Sequence, residues 1–161
     1  MREPQWLTEA RKYIGQQEIK GTKHNPIILR WWTAIRAPFT DDETPWCAGF
    51  VGGCLEATGI RSSRSAAARS YLKWGVACTA QVGAVVVFER GAGFGHVGFI
   101  VGQDRAGNLM VLGGNQGDAV NIKPFAAARV LGYRWPEGAG FPPPVGLPVL
   151  NSDGRVSANE A

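Results

Sequence analysis

The chain has 161 residues and a mass of 17.3 kDa, with 45% hydrophobic and 19% charged residues, which fits one globular domain and excludes a collagen-like, coiled-coil or largely disordered polypeptide. Seventeen Lys and Arg against thirteen Asp and Glu give a formal charge of +4 and a pI near 9.2, favouring an anionic polymer as partner without naming one. The longest strongly apolar stretches, 84–88 and 97–101, are strand-sized and far short of the ~20 residues that cross a bilayer, so no stable membrane insertion is expected.

The first residues, Met1 to Trp6 followed by charges at Glu9, Arg11 and Lys12, lack the apolar core of a secretory signal. Synthesis in the cytoplasm is expected, with any action outside it needing another exit route. Three cysteines are too few, and odd in number, for a disulfide scaffold. Helical spacing of Trp6, Ala10, Tyr13 and Ile14 predicts a first helix over 6–14, stopped by Gly15. Asn25 as cap and Pro26 at the first helical position open a second, which ends before Pro38. A polar loop from Asp41 to Pro45 leads into a third helix over 46–58, closed by Gly59, and a fourth is expected over 65–74.

Beyond Gly75 the period shortens, and 82–88, 96–101, 109–112, 119–122 and 130–135 read as strands, with a hairpin turn at 105–108. Helices first and strands afterwards predict an α+β fold, N-terminal helices packed on an antiparallel sheet of five to six strands. Residues 1–137 form the expected domain. Residues 138–161, with Pro142, Pro143, Pro144 and Pro148, read as an extended, weakly packed tail.

The stretch from Pro45 to Leu55 carries the first chemical signal. Cys47 falls in the first turn of its helix, where free N–H groups and the positive dipole end lower a thiol pKa. The alternative is a small hydrophobe on the buried stripe of Phe50, Val51, Cys54 and Leu55. Gly49, Gly52 and Gly53 cost a helix about 3 kcal/mol together, and predict another backbone pressed close, with the helix lying on the sheet.

Of two histidines, His24 reads as an exposed loop residue, whereas His96 opens an alternating strand among glycines that leave room for a ligand. Asn115, after the strand over 109–112, is the expected amide that orients His96, with Gln116 as a second oxyanion donor. Trp46 and Gly95 are the expected walls of a substrate groove. Two other readings stand beside this one: a glycosidase using Glu18 with Asp41 or Asp42, and a non-catalytic wall-binding module whose Cys47 is only core. Asp41, Asp42 and Glu43 lack the ligand spacing of a calcium loop, and no cysteine or histidine pair has zinc-site spacing, so no metal or cofactor is expected. No basic cluster or recognised motif supports nucleic acid.

Pro45, Trp46, Cys47, Ala48 through Cys54 and Leu55, then Ala68, Arg69, Ser70, Trp74 and Gly75, then Gly95 to Phe99 and Val111 to Gln116, resemble the NlpC and CHAP superfamily, and within it the phage- and prophage-encoded cell-wall hydrolases. The resemblance covers about residues 6–136. It implies a papain-like fold, bacterial peptidoglycan as partner, a monomeric endolysin-like enzyme, and Cys47, His96 and Asn115 cleaving an amide in the peptide stem or at its junction with the glycan. It also implies action in the periplasm or on the wall, after release by a holin or a secretion machine. Two departures stand out: Ala84 follows Gly83 where many relatives carry Asp, and Gly113 stands where CHAP relatives often place Glu.

Overall fold

The computed structural model describes residues 3–21, 23–91, 93–141, 146–158 and 160. The proline run at 142–144 of the expected tail lies outside the described residues. Three α-helices come first: α1 (Gln5–Arg11), α2 (Pro26–Ala34) and α3 (Cys47–Ala57). A 3-10 helix over Ala68–Lys73 replaces most of the expected fourth helix. Six strands follow: β1 (Val76–Ala77), β2 (Val85–Arg90), β3 (Phe94–Gln103), β4 (Leu109–Gly113), β5 (Asn121–Phe125) and β6 (Val130–Trp135).

All pairings between these six strands are antiparallel, in the order β1-β6-β2-β3-β4-β5, so the α+β architecture is the expected one. The short edge strand β1, absent from the sequence reading, pairs Val76 and Ala77 with Trp135 and Arg134. Two exposed residues carry no alternation to detect.

Helix α2 begins as its residues dictate. Asn25 accepts a hydrogen bond from the Ile27 N–H (2.9 Å) with Pro26 at the first position. The Asn25 N–H in turn donates to the buried Asp42 carboxylate (2.8 Å), which also accepts from the Ile19 N–H (2.7 Å) and pairs with His24 (3.0 Å). His24 is therefore a clip between two loops rather than a free loop residue. The first helix is joined to the sheet by the Trp6 indole, which donates to the Gly83 carbonyl (2.8 Å) and meets Trp135 edge-on.

Helix α3 is the centre of the molecule, packed on β3 and β4 on one side and on α1 and α2 on the other. Every residue from Cys47 to Leu55 is buried. The expectation for its glycines needs correction. A Cβ at Gly49 would press on Trp32, at Gly52 it would overlap Ile35, and at Gly53 it would overlap Trp31. All three make room for side chains of α2 or of Ile35 at its C-cap, not for a strand backbone; the sheet is met instead by Phe50, which packs on Phe99.

The described residues of the tail form no helix or strand and are mostly exposed, but the tail is anchored at a few points. Gln103 donates to the Pro148 carbonyl (2.9 Å) and accepts from the Leu150 N–H (2.7 Å), and Gly102 leaves space for that passage. Further along, the Ser157 N–H donates to the Pro124 carbonyl (2.9 Å) and Glu160 is buried.

Candidate active site

Cys47 is the first residue of α3 and His96 lies on β3, so the packing of α3 on β3 brings the two elements together. The thiol faces the backbone N–H groups of Val97 and Ala48. Its sulfur thus rests against β3 one residue from His96. Cys47 keeps 6% of its surface exposed, whereas Cys54, on the same helix, has none.

The His96 ring is fully buried, with Phe125 stacked on it (centroids 5.2 Å apart, planes 4° apart). Its Nε2 meets Gln116 Oε1 at 3.0 Å. The other end of that amide is committed: Gln116 Nε2 donates to the Asn121 carbonyl (3.0 Å), to Asn121 Oδ1 (2.9 Å) and to the Val111 carbonyl (3.3 Å). With its nitrogen held there, Gln116 can present only its oxygen to the imidazole. The neutral imidazole therefore carries its proton on Nε2, and Nδ1 holds the free lone pair. Among the described residues Nδ1 has no hydrogen-bond partner. It is the nitrogen available to a thiol.

Three expected roles change on this geometry. Asn115 does not orient His96; its side chain points the other way and donates to the Glu160 carbonyl (2.9 Å). Its φ of 58° lies in the left-handed region, where Asn is tolerated, and this turn sends neighbouring amides in opposite directions. Gln116 takes the orienting place and, with its nitrogen occupied, is no oxyanion donor. Trp46 is fully buried, stacked on Trp31 with its indole donating to Glu18 Oε1 (2.7 Å), so it offers no groove wall. Gly95 is partly exposed beside Arg69, compatible with the expected place at the groove.

Gly113 is the signal the sequence reading left unused. A Cβ there would overlap Gln116 Oε1 and come within 3.3 Å of His96 Nε2. The missing side chain at this position opens the path by which Gln116 reaches the ring.

Burial holds the Cys47 thiol above its ordinary value, against the Val97 and Ala48 N–H groups, which act to lower it. Burial likewise pushes His96 down to about 4, opposed by the Gln116 bond. The expectation of a thiolate prepared by the helix start is therefore not met in this conformation: desolvation outweighs the helix end, and the pair rests as neutral thiol and neutral imidazole.

The carboxylates of the glycosidase reading are each engaged elsewhere. Glu18 holds the Trp46 indole, Asp41 accepts from the N–H groups of Glu43 and Thr44 (2.9 and 2.6 Å), and Asp42 is the buried loop clip described above. Among the described residues no cluster of three or more His, Cys, Asp or Glu could hold a metal ion, and no helix is long and apolar enough to cross a membrane. A cavity of about 1240 Å³ is lined by Trp6, Cys78, Gln81, Trp135 and Leu150 and touches neither Cys47 nor His96.

With cysteine, histidine and amide in place, comparison with known families becomes informative. Residues 39–115 match the CHAP domain. The CHAP match spans just under half of the chain, contains Cys47 and His96 and ends one residue before Gln116. It supports the superfamily of CHAP and NlpC peptidoglycan hydrolases, and the six-stranded α+β architecture is consistent with the papain-like CHAP fold. Among curated proteins and among solved structures, no match to the chain is found.

Proposed function

We propose that the protein is a thiol hydrolase of bacterial peptidoglycan, cleaving an amide in or next to the peptide stem. The observation that carries this reading is the locked Gln116 amide, which fixes the His96 tautomer and leaves a buried basic nitrogen without a partner on the strand that packs against the helix opened by Cys47. The CHAP match supplies the wall as substrate class.

In the reaction, His96 Nδ1 takes the thiol proton as Cys47 Sγ bonds to the amide carbonyl carbon. The carbonyl electrons move to oxygen, where the Cys47 backbone N–H, which has no acceptor within the helix, donates to the oxyanion. Collapse breaks the C–N bond, and protonated His96 gives its proton to the leaving amine. Water, deprotonated by Nδ1, then attacks the thioester and releases the new carboxylate and the thiol. Gln116 keeps the imidazole in register throughout.

Its net charge of +4 suits an anionic wall. The endolysin role, with action in the periplasm or on the wall after release by a holin or a secretion machine, belongs to the same proposal. Purified sacculi test it: wild-type protein should release soluble fragments and Cys47→Ala protein none. Undiminished release by Cys47→Ala would overturn the thiol mechanism in favour of a glycosidase.

A further inference from the structure

The tail ends its described course against the site. The Glu160 carboxylate accepts from Arg129 Nη2 (2.7 Å), Arg129 Nη1 (3.2 Å) and Ser157 Oγ (2.6 Å), and its side chain is only 1% exposed. Its main-chain carbonyl accepts from Asn115, the residue next to the amide that holds His96. The Glu160 charge is close enough to bear on both the Cys47 thiol and the His96 imidazole.

Arg129 is built to receive an anion there. Its guanidinium is held from behind by the Glu89 carbonyl (Nε 3.1 Å, Nη2 2.8 Å) and the Ser157 carbonyl (Nη1 2.8 Å). It lies over the Phe125 ring at 5.5 Å and near Phe88 at 5.9 Å. Phe125 also stacks on His96, so one aromatic ring carries both the anion-binding cation and the catalytic imidazole. A carboxylate is removed from water only where a cation and hydrogen bonds replace its hydration, which this socket does. The two anchors, a backbone carbonyl on Asn115 and a carboxylate on Arg129, are generic to a peptide with an acidic group. Nothing in them is peculiar to the tail.

We propose that Arg129 and Asn115 form a carboxylate-binding subsite beside Cys47 and His96, that Glu160 fills it as an internal competitor, and that it receives a carboxylate of the stem peptide when the tail lifts. The substrate half of this statement rests on the hydrolase reading; the self-occupied socket does not. The Glu160 charge favours the thiol form of Cys47 while it opposes the burial that keeps His96 neutral. The subsite also gives the asparagine at 115 a function once Gln116 has the imidazole.

The test reads the thiol rather than turnover. Alkylation of Cys47 by iodoacetamide, followed by peptide mass spectrometry, should be at least about tenfold faster in Glu160→Gln than in wild type. Ser157→Ala should shift it the same way by a smaller factor, and thermal melts check that both variants fold. Added to Glu160→Gln protein, the peptide acetyl-Ser-Ala-Asn-Glu-Ala-amide should slow alkylation again, whereas its Gln counterpart should not, and neither should protect the Arg129→Gln/Glu160→Gln double variant. Equal alkylation of wild type and both single variants, or equal protection by the two peptides, overturns the proposal. On sacculi, adding Arg129→Gln to the Glu160→Gln protein should raise KM while kcat stays near that of Glu160→Gln; a fall in kcat alone overturns the substrate half. Selective peptide protection with sacculi left intact would support the socket and remove the hydrolase reading.

Discussion

Adjacent amides at 115 and 116 have opposite roles here, and exchanging their fates tests the geometry most sharply. Gln116→Ala removes the only hydrogen-bond partner of the His96 ring among the described residues and leaves a buried Nε2–H unsatisfied. A buried polar group stripped of its partner costs about 1–3 kcal/mol, so the unfolding free energy should fall by that amount and the melting temperature with it. The same bond holds the reactive tautomer, and losing about 1–3 kcal/mol from the transition state lowers the rate roughly 5- to 150-fold. Asn115→Gly is the matched control: it removes an amide bonded to Glu160, while glycine accepts the positive φ without strain. Its fold should persist, and Cys47 alkylation should rise because the tail loses an anchor. Initial rates of fragment release from sacculi and thermal melts read both variants. If Asn115→Gly abolished release while Gln116→Ala left rate and stability unchanged, the assignment of Gln116 to His96 would be wrong.

Gly113→Ala should act through the same bond, since its methyl overlaps Gln116 Oε1; turnover should fall at least about tenfold with thermal stability lowered by about 1–3 kcal/mol. Glu18→Gln should leave fragment release near wild type, because the new amide oxygen still accepts from the Trp46 indole; loss of release would revive the glycosidase. Folded His96 titrates near 4, below its ordinary 6.5, so the folded state prefers the neutral ring. That contribution is fully present above pH 6.5 and fades as pH falls toward 4. Between pH 6.5 and about 5, wild type should therefore lose stability faster than His96→Asn, while His24, raised by its bond to Asp42, acts in the opposite sense in both proteins. Parallel stability curves would refute the burial argument. Gly53→Ala should destabilise by about 1–3 kcal/mol in melts, since its methyl overlaps Trp31.

Local chemistry was readable wherever one residue fixes it. Asn25 and Pro26 announce α2 by capping, and the shift to alternation after Gly75 announces the sheet. Cys47 at a helix start follows from the same local rules; His96 is on the expected strand, but β3 begins two residues earlier, at Phe94, and the ring is buried under Phe125 rather than open to a ligand. What failed was direction and partner. A turn after β4 places Asn115 and Gln116 one residue apart, and only the positive φ at Asn115 and the bare Cα of Gly113 decide which amide faces the imidazole. The glycines of α3 promised a close neighbour, but sequence does not say whether a strand or the indoles of α2 would fill the groove. Trp46, next to the nucleophile, was placed at a groove wall, although its pairing with Glu18 buries it. The Arg129–Glu160 pair joins residues far apart along the chain, in a proline-rich segment whose composition reads as loose.

Central to all of this is a sulfur that opens an amide bond of the wall. Sacculi digested to completion can be scored for two kinds of new end group, free amines by dinitrophenylation and reducing sugars by borohydride, with fragment masses locating each. New amino groups, each matched by a carboxylate, are expected in products that gain one water at an amide, with no new reducing ends. New reducing ends without new amines, or fragments formed equally by the Cys47→Ala protein, would contradict the thiol mechanism.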